Sequence, residues 1–270
     1  MNKYFFNSLF FLIFGIFLSA DAKNDPLSSN TKSIDEKVKF YTIEGMKSSF
    51  SENFDLAFQY YDSALSIDKN NLRTRVYKST VYLYKFILTK NDKYKEIYLN
   101  ESDKITESAE KLLSQNENDV KALASLAANF GYRSMFYAND DSFLRSAWEG
   151  KLSYDYLKAT LEKNPDEIEA LMGMGIFNYS IGAVDSKMKS VMSFIGMNGD
   201  KKKGIEQLKT ASEKAEFTKF EALFMLSQFY KYYEKDEIMA SEYYNKLISE
   251  NPTFSLFKKL DELKVYKFSN

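Results

Sequence analysis

EALFMLSQFYKYYEKDEIMASEYYNKLISENPTF (Glu221–Phe254) is the stretch whose reading decides the fold. It spans 34 residues and places Phe224 at its fourth position, Ala240 at its twentieth, Tyr244 at its twenty-fourth and Pro252 at its thirty-second. Residues 38–71 keep the same register, with Tyr41 at four, Gly45 at eight, Ala57 at twenty, Tyr61 at twenty-four and Ala64 at twenty-seven. A small residue on each of two antiparallel helices lets their backbones approach closely. The aromatic at twenty-four is then expected to fill the gap to the next pair.

Working outward, apolar spacing after Ser33 is helical almost throughout, as in Phe54, Ala57, Tyr61, Ala64 and Leu65. Short polar clusters punctuate it: SSFSEN (48–53), DKNN (68–71), TKND (89–92), QNEND (115–119), ANDD (138–141), KNPDE (163–167) and ENPT (250–253). Such regular breaks call for internal repeats. Both units above resemble the tetratricopeptide repeat. The resemblance implies an all-α, right-handed helical solenoid of about five antiparallel helix pairs with a C-terminal capping helix near 255–266, the whole covering 34–268. Further units fall near 72–117, with an insertion expected near 90–100, near 120–165, and near 168–217. In the unit 168–217 an inserted helix at 184–197 separates the two members. The pairs are expected to approach at Gly45, Ala57, Gly175, Gly204 and Ala240.

The glycine-rich FIGMNGDKKKG (194–204) tests whether the chain does chemistry. It lacks the spacing and the Ser/Thr of a phosphate loop, the strand and spacing of a dinucleotide fingerprint, and the alternating oxygen ligands of a calcium loop. It reads as a helix start, with Asp200 as N-cap. Lys201, Lys202 and Lys203 crowd the positive end of that helix, which costs about 0.3–1 kcal/mol per charge. A bound anion is therefore the rival reading for them. The pattern from Gly173 to Leu208, with Gly173-x-Gly175-x-Phe177-x-x-Ser180 and then Phe194-Ile-Gly196-x-x-Gly199-Asp200, resembles the central region of a tetratricopeptide group. That group includes inclusion-body-clearance proteins and bacterial exported proteins. Gly182-Ala183 stand where that pattern has a proline after the serine. The resemblance spans roughly 165–254 and implies an adaptor or scaffold role without catalysis. In the insertion, Met188, Val191, Met192 and Ile195 form a short amphipathic stripe, which packs on its own solenoid or serves as a lid over the concave groove.

Composition subtracts chemistry. The chain has no Cys and no His, which removes thiolate, imidazole, Ser-His-Asp and zinc-thiolate chemistry. No cofactor or metal is expected. Acids such as Asp140, Asp141, Asp166, Glu167 and Glu169 are read as helix-start residues rather than as a catalytic pair. With 37 basic and 38 acidic residues, net charge points to no nucleic acid partner. At the N-terminus, Lys3, the apolar run Leu9–Leu18 and Ala20-Asp21-Ala22 read as a signal peptide over 1–22, followed by a polar linker over 23–33. No later segment is apolar enough to span a bilayer. The expected location is outside the cytoplasm, and the periplasm if the cell is a double-membraned bacterium.

In tetratricopeptide geometry the first helix of each pair faces the concave side. Met172, Ile176 and Tyr179, with Met225, Phe229 and Tyr232, would then present an apolar, aromatic groove for a protein or peptide partner. Burial of that face under the inserted or the C-terminal helix is the alternative. The functional expectation is an exported, non-catalytic scaffold of a cell-envelope assembly. The alternative is a soluble carrier or uptake-system partner subunit holding an apolar small molecule or lipid, recognisable by an enclosed cavity in place of an open groove.

Overall fold

The computed structural model describes residues 33–263; the signal peptide, most of the linker and the last residues of the expected solenoid lie outside them. The described residues form twelve α-helices. Five pairs follow one another: α1 (Ile34–Phe50) with α2 (Phe54–Ile67), α3 (Leu72–Thr89) with α4 (Asp92–Gln115), α5 (Val120–Asn139) with α6 (Phe143–Lys163), α7 (Ile168–Ala183) with α9 (Lys201–Lys214), and α10 (Lys219–Phe229) with α11 (Glu237–Glu250). The short α8 (Ser186–Phe194) interrupts the fourth pair, a π-helical turn over Tyr230–Glu234 extends α10, and α12 (Ser255–Glu262) ends the array.

Local chemistry starts these helices. Ser33, Asn53, Asn71, Asn91, Asp119, Asp185, Asp200 and Asp236 each accept a backbone N–H from the first turn of the helix that follows. Such a cap contributes about 1 kcal/mol. Ser33 and Glu36 complete a reciprocal capping box. The polar clusters of the sequence are therefore mostly helix starts. Two expectations differ from the structure. The insertion near 90–100 does not exist as a separate segment, because Asn91 caps a continuous 24-residue α4. Asp140 and Asp141 follow the end of α5, where the Asp140 carboxylate receives Lys95 Nζ at 2.6 Å.

Small residues sit where partner helices touch. A Cβ at Gly45 would lie 2.6 Å from Tyr61 Cε1, so the aromatic at position twenty-four packs on the glycine of its own pair. A Cβ at Gly175 would lie 2.9 Å from Leu208 Cγ, and one at Gly204 would lie 2.4 Å from the Tyr179 nitrogen. Ala57 and Ala240 are buried.

The array curves until its end meets its beginning. Phe50 at the end of α1 packs on Phe220, Phe254 and Phe257 at ring separations of 6.3, 5.5 and 4.7 Å. Around this seam, Glu52 accepts from Ser255 and Lys259, Ser51 meets Thr253, and Lys39 pairs with Glu216. The first helices of the five pairs thus face inward around a shared core.

Candidate functional site

A cavity of about 680 Å³ runs along this inner face, bounded by residues of α1, α3, α5, α7, α10 and α12. Val76, Met135, Met172, Ile176, Met225 and Phe257 contribute apolar wall, while Asp35, Asn71, Arg73, Asp119 and Lys121, from the N-terminal turns of the first helices, form a polar end. The size falls within the range typical of small-molecule sites, roughly 300–1,000 Å³.

Polar side chains between the wall and the polar end are mostly paired. Glu169 on α7 reaches the next pair, where its carboxylate accepts the N–H groups of Glu216, Phe217 and Thr218 and the Thr218 hydroxyl. It therefore satisfies the otherwise unpaired donors at the start of α10, a role that its place in the sequence assigns to its own helix. Arg73 lies 3.6 Å from Glu167 and 4.5 Å over the Phe217 ring.

Glu221, in the first turn of α10, is the exception. It is 7% exposed, and Oε1 accepts the Tyr132 hydroxyl at 2.7 Å across the ring of helices. Oε2 is buried without a hydrogen-bond partner. Burial, opposed by the Tyr132 hydrogen bond and reinforced by the Glu169 charge, pushes the Glu221 carboxyl up to about 7. Burial and then the Glu221 charge also push the phenols of Tyr77 and Tyr132 up, so both remain neutral.

This shift has a sign that can be measured. The folded state holds the Glu221 proton up to about pH 7, whereas an unfolded glutamic acid releases it near 4.5. Stability from this group is full below 4.5 and is lost as pH rises through 7. The facing titratable groups are Tyr61, Tyr77, Tyr132 and Glu169, and the chain has no histidine or cysteine to titrate in that window. Between pH 5 and pH 8, urea unfolding of the protein is expected to lose roughly 2 kcal/mol more than that of Glu221→Gln. Equal losses would contradict the burial of this charge.

The six expected groove residues do not share one surface. Met172, Ile176 and Met225 reach the cavity. Tyr179 and Phe229 do not: they are 1% and 0% exposed, with rings stacked 3.9 Å apart. At the C-terminal half of α7, the glycine contacts pull α9 against the helix, and α10 closes over the other side. An aromatic there becomes core. Tyr232 donates its hydroxyl to Asp261 on α12 at 2.9 Å and lies outside the cavity. Phe257 and Leu260 of the C-terminal helix close part of the inner face, whereas no residue of α8 reaches it. The inserted helix is thus not a lid over this cavity. Met192 packs on the core beside buried Met197, while Val191, Phe194 and Ile195 stay exposed.

Lys201 is committed within the fold. Its Nζ lies 2.7 Å from Glu234 on the π-helical turn and 5.7 Å over the Tyr179 ring. Burial works against the Glu234 charge, but hydrogen bonds from Lys201 and Tyr179 outweigh it and hold the carboxyl below its ordinary value. Lys202 and Lys203 are exposed, and the Lys203 N–H donates to the Asp200 cap. Sequence reasoning missed Glu221. An acid opening a helix looks like any other first-turn carboxylate, and only the seam between first and last pairs buries it.

Among the described residues, no helix is long and apolar enough to cross a membrane. A comparison with curated proteins finds no match. A solved structure described as a functional characterization of pilF from Pseudomonas aeruginosa aligns with a TM-score of 0.30 at 13% identity, covering 86% of this chain and 99% of that one. Residues 167–237, which run from the start of α7 into α11 and include Glu221, match the family described as Iml2/Tetratricopeptide repeat protein 39. The chain is an all-helical array of paired helices that resembles tetratricopeptide repeat proteins, and over this central segment it is similar to that family.

Proposed function

We propose that this chain is a non-catalytic binding protein of the cell envelope, a tetratricopeptide-type scaffold that takes an apolar segment of a protein partner between its first helices. The observation that carries this is the 680 Å³ cavity, whose wall holds Met172, Ile176 and Met225. Repeats of this kind generally serve protein–protein interaction, and the chain lacks the imidazole and thiol groups on which most nucleophilic catalysis relies. Export rests on the leader-like first 22 residues. The size of the cavity favours a second reading, a carrier for an apolar small molecule or lipid.

One experiment addresses these together. The full chain, with its leader, is expressed in a double-membraned bacterium with a photocrosslinking amino acid at Met172, or at Ile238 as a control 81% exposed on α11. After irradiation, the intact mass of the recovered protein is expected to show a chain beginning near Lys23 and an adduct at 172 but not at 238. A peptide-sized adduct supports the scaffold, and a smaller one supports the carrier. No adduct at 172 overturns the cavity as the binding site, and an uncleaved chain overturns export by this leader.

A further inference from the structure

The charged groups lining the cavity are nearly all neutralised by partners within the fold. Glu169 has four donors, Arg73 has Glu167, and Lys39 has Glu216. Glu221 Oε2 is left over. Its shortage does not depend on protonation: as a carboxylate the atom lacks a donor, and as an acid its O–H lacks an acceptor. Native interiors rarely leave such a group unpaired, so the missing partner points to a ligand. The charge acting on Glu221 is a second acid, Glu169, which disfavours an anionic ligand and favours a cation.

We infer that the cavity receives an amphiphilic amine, whose ammonium donates to Glu221 Oε2 while its apolar chain lies along Met172, Ile176 and Met225. The ammonium is the end of a free alkylamine or of a lysine side chain in an otherwise apolar segment. The inference rests on the cavity being the binding site, as proposed above. An ammonium placed beside this carboxyl holds it ionised, so binding releases the proton that the empty site keeps near neutral pH.

Calorimetric titration with octylamine, octanol and octanoate tests this on the full chain. The expected result is octylamine bound at least roughly tenfold more tightly than either of the others at pH 8, with that preference lost in Glu221→Gln. Should the variant fail to fold, the native protein still decides: its octylamine affinity is expected to rise roughly tenfold from pH 5.5 to pH 8. Octanol matching octylamine, or a flat pH profile, overturns the inference while leaving the cavity reading standing. Absence of octylamine binding overturns the inference too, and the adduct at Met172 then decides the cavity separately. A lysine-bearing apolar peptide competing with octylamine identifies the peptide source; competition by free alkylamines alone identifies the small-molecule source.

Discussion

Arg133→Met is expected to lower the free energy of unfolding by about 4 kcal/mol, the largest single effect among these predictions. Arg133 sits on α5 at 8% exposure and ties three helices together. Its Nε donates to Glu149 of α6 at 3.1 Å, and its Nη1 donates to Asp103 of α4 at 2.5 Å and to Ser102 at 3.3 Å. Burial alone disfavours the guanidinium charge, but hydrogen bonds from the two carboxylates more than offset it, and the net shift is upward. The partners differ in what they lose. The Asp103 side chain is 62% exposed and can be rehydrated, whereas Glu149 is 4% exposed and would be stranded. The cost therefore arises mainly from one buried, unpaired carboxylate. Pairing Arg133→Met with Glu149→Gln should recover about half of it, because no buried charge is left without a partner. Urea unfolding of the two single variants and the double variant measures both terms; a loss under about 1 kcal/mol for Arg133→Met would show that Glu149 finds solvent.

Gly204→Ala is expected to cost roughly 3 kcal/mol, despite alanine's advantage of about 1 kcal/mol inside a helix. The added Cβ would stand 2.4 Å from the Tyr179 nitrogen and 2.7 Å from the Gly175 carbonyl oxygen. Both are backbone atoms within α7, so no rotamer change can clear the space. The two helices must separate, and Leu208 and Tyr179 lose packing as they do. Gly131→Ala is the matched comparison: it too lies within a helix, but the only neighbour within 4 Å is Ser153 Oγ, at 3.2 Å. A hydroxyl can turn aside, so that change should stay within about 1 kcal/mol of neutral. Thermal unfolding of both variants decides the matter, and similar losses would mean that the α7–α9 contact tolerates expansion.

Comparing these sites with the sequence separates what was legible from what was not. Asn71 caps α3 and Asp200 caps α9 by bonding backbone groups three residues away. Such contacts require only the local chain to turn, so residue type and position announce them. The small residues at Gly45, Gly175 and Gly204 were legible as a register because they recur with the period of a helix pair. The same register placed Met172 and Ile176 on the inner face, where both line the cavity.

Closure was not legible. Ser51 meets Thr253 across 202 positions, and Phe50 meets Phe254 and Phe257. Whether these ends meet depends on a small rotation between successive pairs, added up over the array, which no single repeat encodes in its own spacing. Tyr179, Phe229 and Glu221 follow from that closure: the first two would face a groove in an open solenoid, and the third would be a solvated helix-start acid. The sequence by itself determined the helices, their caps and their pairing, because those interactions act between neighbours in the chain. Tertiary structure alone decided the cavity and its unpaired carboxylate, because both exist only where the last pair returns to cover the first.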